Sequence, residues 1–227
     1  MTTESAALEA AAQRCATAIE AGGVIHVFGT GHSALNAGDT FQRAGGLACV
    51  NAILEQPLSV GACGLFSSWT ERQTGLANLI LDRYDLRAGE PIIIFSVSGV
   101  NALPVEVAAE SRRRGISVIV VVSREFCEYL SAARSLKTTL LAEADVVIDN
   151  HVPVGDALLP LPSSEYRLAS SSTICAALIY SCILERTAML LSQLNVPVPV
   201  FASLNLPGAA EHNAELIARY RSRIRNF

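Results

Sequence analysis

The stretch Val24–Ser33, VIHVFGTGHS, sets the strongest limit on what this chain can fold into. A short apolar run enters a glycine-rich loop, and the loop opens into a helical pattern. Glycine lets the backbone come close to a ligand, and the N–H groups at a helix start point at an anion, so such a loop suits phosphate. Phe95–Asn101, FSVSGVN, repeats the arrangement after a second apolar run, PIIIF. The hydroxyls of Ser96 and Ser98, the backbone of Gly99 and the amide of Asn101 supply donors enough to wrap one phosphate. In parallel α/β sheets ligands bind outside the carboxyl ends of the strands, where strand order reverses, so two such loops support each other.

The rest of the chain supplies the strands and helices that this reading needs. An alanine-rich helix over 3–21 stops at Gly22-Gly23, and strands are expected at 24–28, 47–53, 91–95, 116–122 and 145–149. Helical patterns lie between them at 33–44, 67–81, 102–114 and 125–135. Strands alternating with helices predict βαβ units and a parallel sheet. Residues 150–170 show no clear period and read as a long loop with a short edge strand at 157–161. A long helix over 172–195 and a last one over 209–225 follow. At 227 residues the chain reads as one domain, 1–227.

Composition narrows the partners. With 51% hydrophobic and 17% charged residues the chain is globular, and a net charge of −4 leaves no basic footprint for a nucleic acid. The longest apolar stretch, 168–191, is interrupted by Glu185 and Arg186 and reads as a buried helix, so no membrane partner is expected. The amino-terminal stretch lacks the charged region of a signal peptide, and the six cysteines form no C-x-x-C pair, which fits a reducing cytoplasm. None of the four histidines has zinc-motif spacing, and no metal is expected.

Gly29–Ala34 also fits G-x-G-x-x-A, the relaxed dinucleotide fingerprint, with Glu55 near the place of a ribose-binding acid. A nicotinamide cofactor would leave the second loop unexplained, so no cofactor is expected. Either loop could also be a turn that merely caps its helix.

GTGHS and SVSGVN together resemble the SIS (sugar isomerase) domain of phosphosugar isomerases and phosphosugar-binding regulators. FQRAGGL (41–47), LDRYDLRAGE (81–90), ADVVIDN (144–150) and EHNAELIARYR (211–221) are similar to a bacterial subfamily of sugar isomerase domain proteins. Phosphoheptose isomerase and N-acetylmuramic acid 6-phosphate etherase are more distant likenesses. The resemblance implies a three-layer αβα sandwich with a five-stranded parallel sheet of flavodoxin-like topology, a homodimer and a sugar phosphate ligand. It places Gly31, Ser33, Ser96, Ser98 and Gly99 at the phosphate, with Asn101 where many SIS domains carry threonine or serine. Ser123 matches a third position on the ligand side, and Ser172 and Thr173 match the G-S-T that opens a helix in the etherase. SIS enzymes commonly carry a glutamate on the helix after the first loop. Here that helix offers only Asp39, so Glu55, which follows strand two, is the first choice of base and Asp39 the second. His32 and His212 are expected to assist. The loop after strand two lacks the ring-opening histidine of aminosugar isomerases, and the etherase's lysine-glycine is replaced by Ile174-Cys175. The expected activity is aldose–ketose isomerisation of a sugar or aminosugar phosphate. A non-catalytic phosphosugar sensor and an etherase or lyase are the alternatives.

Overall fold

The computed structural model describes residues 3–61 and 63–227. Five strands, β1 (Ile25–Gly29), β2 (Val50–Ala52), β3 (Pro91–Phe95), β4 (Ser117–Val122) and β5 (Val146–Asp149), form one sheet. Its order is β2-β1-β3-β4-β5, and every neighbouring pair is parallel. The runs PIIIF and VIVVV (118–122) are continuously apolar because both faces of these strands are covered. Successive side chains of β3 serve opposite cores: Ile93 and Phe95 pack on one side of the sheet, Ile92 and Ile94 on the other.

The first core is closed by α1 (Ser5–Glu20), α8 (Ser172–Gln193) and α9 (Ala209–Tyr220), with α2 (Ser33–Asp39) at its edge. The second is closed by α4 (Ala77–Leu81), α5 (Ala102–Arg113) and α7 (Leu140–Glu143). Two further helices, α3 (Gly64–Thr70) and α6 (Arg124–Arg134), lie at the carboxyl ends of the strands. Helix α8 is long and apolar enough to cross a membrane by length and composition. Here it lies along α1 and buries Ala176, Ile179, Tyr180, Ile183, Thr187 and Leu191.

Several expected boundaries move, each for a visible reason. The helix expected over 67–81 is split into α3 and α4, with Gly75 at φ +82° in the break. The helix after β1 stops at Asp39. Residues 45–48, expected to be helix end and strand start, instead bond to the chain at 199–201: Gly45 N–H donates to Phe201 O (2.8 Å) and Ala48 N–H to Pro199 O (2.7 Å). That leaves β2 three residues long. The segment expected to be a loop with one edge strand forms an antiparallel hairpin, β6 (Ala157–Pro160) and β7 (Arg167–Ser170), separate from the main sheet. The four-residue α7 is too short to show a period in the sequence.

The amino-terminal edge of the sheet is tied by a buried charge network. Glu90, just before β3, accepts from Val24 N–H (3.0 Å) and Arg223 Nη2 (2.7 Å) on one oxygen, and from His26 Nε2 (2.8 Å) and Arg87 N–H (3.0 Å) on the other. Burial pushes the Glu90 carboxyl up, but the bonds from His26 and Arg223 prevail and hold it at about 2. His26 thus serves the fold at the edge of the sheet opposite the glycine loop.

Candidate functional site

Strand order reverses between β1 and β3, and the loops after these two strands open toward one cavity of about 420 Å³. The first loop is built tightly. A Cβ on Gly29 would lie 2.3 Å from Ser33 O, and Gly31 sits at φ +58° with its N–H bonded to Leu58 O (2.7 Å). The turn therefore admits only glycine at the first position and favours it at the second. It delivers Thr30, His32 and Ser33 to the cavity wall.

The second loop is equally constrained. Gly99 has φ +63°, and a Cβ there would lie 2.7 Å from Val122 Cγ2 and 3.0 Å from Cys127 Sγ. Its N–H donates to Ser96 Oγ (3.3 Å), which closes the loop on itself. Ser96, Val97, Ser98 and Asn101 line the same cavity as Ser33. Asn101 is the N-cap residue of α5, yet its side chain makes no capping bond. Ser33 Oγ, Ser98 Oγ and the Asn101 amide have no hydrogen-bond partner among the described residues. Three polar groups thus converge on one space with their bonding capacity free.

Ser172 and Thr173 reach the cavity from the start of α8, but the helix end already holds an anion. Asp156, at φ +57° before β6, accepts from Ser171 N–H (3.0 Å) and Ser172 N–H (2.9 Å), and from the Ser172 hydroxyl. A carboxylate at a helix N-terminus satisfies free N–H groups and the helix dipole together. Of this run, only the Thr173 hydroxyl is left without a partner among the described residues.

A second carboxylate in the cavity, besides Asp156, is Glu71, in the break between α3 and α4. Its backbone oxygen accepts from Leu103 N–H (3.0 Å) in the first turn of α5. Its side chain accepts from Thr30 Oγ1 (2.9 Å) on one oxygen and from Arg72 Nη1 (2.9 Å) on the other. Glu71 therefore joins the first loop to the helix that follows the second. Sequence reading missed Glu71 and Arg72 because they fall inside the helix expected over 67–81, where a charged pair reads as solvated surface. Gly75, four residues on, was the signal that the helix breaks there.

The remaining expected residues lie elsewhere. Glu55 accepts from the Tyr84 hydroxyl (3.1 Å) and pairs with Arg83 (3.1 Å), outside the cavity. Burial, with the Glu55 charge adding to it, pushes the Tyr84 phenol up to about 12. Asp39 is exposed and pairs with Arg43 one turn along. His212, on α9, bonds Val200 O (2.9 Å). Ser123 is buried as the N-cap of α6: its hydroxyl donates to Val152 O (2.6 Å) and accepts from Phe126 N–H (3.1 Å). None of these four residues lines the cavity that the two loops share.

Residues 1–123 match the family model described as the SIS domain. The chain belongs to the SIS domain family. It is 42% identical over 206 residues to a UPF0309 protein of Caldanaerobacter subterraneus, a match spanning 90% of this chain and 84% of that one. A UPF0309 protein of Brucella anthropi is 40% identical over 199 residues, spanning 88% and 81%. Among solved structures, a phosphoheptose isomerase from Francisella tularensis superposes with a TM-score of 0.52 at 14% identity, covering 82% of this SIS chain and 86% of that one. A putative phosphosugar isomerase involved in capsule formation from Bacteroides fragilis gives 0.51 at 17% identity, covering 84% and 81%. At such identities these two structures establish the shared SIS fold.

Proposed function

We propose that this SIS protein binds a sugar phosphate between the β1 and β3 loops and moves a proton on the sugar, as an aldose–ketose isomerase does. The observation that carries this reading is the convergence of Ser33, Ser98 and Asn101, all without internal partners, on the cavity that holds Glu71. The phosphate takes donors from Ser96, Ser98, Asn101 and Ser33, with Thr173 at the rim. Glu71 removes a proton from the carbon next to the carbonyl and returns it to the adjacent carbon through an enediol. Thr30 and Arg72, one on each oxygen, hold its carboxylate in place. His32, exposed on the same wall, passes the hydroxyl proton. Glu71 replaces Glu55 and Asp39 as the base because it alone of the three lines this cavity. Two solved relatives in fold are named phosphosugar isomerases, which supports the substrate class. The exposed Ile174, Leu178 and Met189 on α8 support a homodimer.

The test is a thermal-shift screen of sugar phosphates, parent sugars and NAD, followed by turnover assays. A ligand that binds only the native state raises the melting temperature. A rise with phosphorylated sugars alone is expected. Glu71→Gln should then keep the shift and lose turnover by about 100-fold or more. A rise with NAD and none with any sugar phosphate overturns the reading. Full turnover in Glu71→Gln removes Glu71 as the base.

A further inference from the structure

Helix α6 is amphipathic, yet Cys127 is its single fully buried residue. Its first turn rests on the β3 loop, where Cys127 Sγ meets Gly99 O at 3.8 Å. From there Phe126, Leu130 and Arg134 recur every fourth residue, and all three line the cavity. Residues four apart share a helix face, so this face of α6 borders the site, with Leu130 packed at the same time against the second core. Phe126 and Leu130 are half-buried there.

Four charged side chains line the cavity, two of each sign: Glu71, Arg72, Asp156 and Arg134. Arg72 pairs with Glu71, and Asp156 is held by the start of α8. Arg134 has no ion-pair or hydrogen-bond partner among the described residues. A cation in the last turn of a helix suits its dipole, but that does not account for an apolar pair leading to it along a cavity wall. Arg134 lies seven residues beyond Cys127, about 10 Å along the helix axis at 1.5 Å per residue. With the phosphate at the β3 loop, Arg134 faces the opposite end of a bound sugar.

We propose that α6 reads the end of the substrate remote from its phosphate. Phe126 and Leu130 pack an apolar substituent, Arg134 pairs with a carboxylate, and the substrate class is therefore a sugar phosphate with a carboxylic acid group. This rests on the phosphosugar reading above. A guanidinium fork matches a carboxylate bidentately. A singly charged carboxylate also loses less than a second phosphate dianion when it leaves water beside Phe126 and Leu130.

The test is calorimetric titration of wild type, Arg134→Gln and Arg134→Lys with matched probes. One pair is N-acetylglucosamine 6-phosphate and its 3-O-lactyl ether; the other is glucitol 6-phosphate and 6-phosphogluconate. Fructose 1,6-bisphosphate and inorganic phosphate complete the set. In at least one pair the acidic member should bind wild type about tenfold more tightly. Arg134→Gln should erase that preference while leaving the neutral member and inorganic phosphate unchanged, and Arg134→Lys should restore part of it. No preference for the acid in either pair overturns the proposal, as does an equal loss on every probe, which would make Arg134 a phosphate ligand. Preferred binding of the bisphosphate overturns the carboxylate assignment. If neutral sugar phosphates bind without preference for acids, this proposal alone falls. If no sugar phosphate binds, the phosphosugar reading falls with it.

Discussion

Replacing Glu90 by glutamine tests the charge network at the amino-terminal edge of the sheet. Glutamine keeps the size and one acceptor oxygen but removes the charge that Arg223 and His26 share. The carboxyl lies at about 2 in the folded protein against an ordinary 4.5. At 1.36 kcal/mol per pKa unit this corresponds to about 3 kcal/mol. The sign follows from a depressed folded value. The stabilisation is fully present above pH 4.5 and is lost as pH falls toward 2. Glu90→Gln should therefore unfold about 3 kcal/mol more easily at pH 7, a fall in melting temperature of roughly 6–12 °C for a chain of this size. The deficit should shrink through pH 4 and 3. Urea unfolding followed by circular dichroism at pH 7, 4 and 3 measures it, and an unchanged m-value would show that the extent of unfolding is the same. Equal midpoints at pH 7, or a deficit that stays constant down to pH 3, would refute the reasoning.

Two further substitutions address the loops. Gly99→Ala places a methyl 2.7 Å from Val122 Cγ2 at a positive φ. It should lower stability by about 2 kcal/mol or more and abolish sugar phosphate binding; calorimetric titration of the folded variant and urea unfolding check the two effects separately. Asp156→Ala removes the anion that holds Ser171 and Ser172, and should cost about 1–2 kcal/mol in urea unfolding, whereas Asp156→Asn should cost less because its side-chain oxygen still accepts.

Much of the architecture was legible because it rests on local pattern. The runs PIIIF and SVIVVV fix two buried strands, and the glycines of GTGHS and SVSGVN mark the two turns that face the cavity. Ser33, Ser96, Ser98 and Asn101 could be proposed from the same stretches because each lies within a few residues of a strand end. Glu71 could not, because its place depends on a helix break and on bonds to Thr30 and Leu103, far apart in the chain. Asp156 has no local signature either, since the helix it caps begins sixteen residues later. The hairpin of β6 and β7 was hidden by prolines and by strands of four residues, too short for alternation to show.

The two buried strands that open the cavity also begin at the charge network. β1 carries His26 at one end and the glycine loop at the other; β3 starts beside Glu90 and ends at Ser96. Five residues of strand separate the two ends, about 16 Å. Substitutions so far apart, with no shared partner, have additive effects on stability. Stabilising changes around Arg87 and Arg223, or around Asp85, which accepts from both (2.7 Å each), can therefore offset losses incurred at the loops without touching the ligand. This edge is the place to reinforce the protein before its cavity is redesigned.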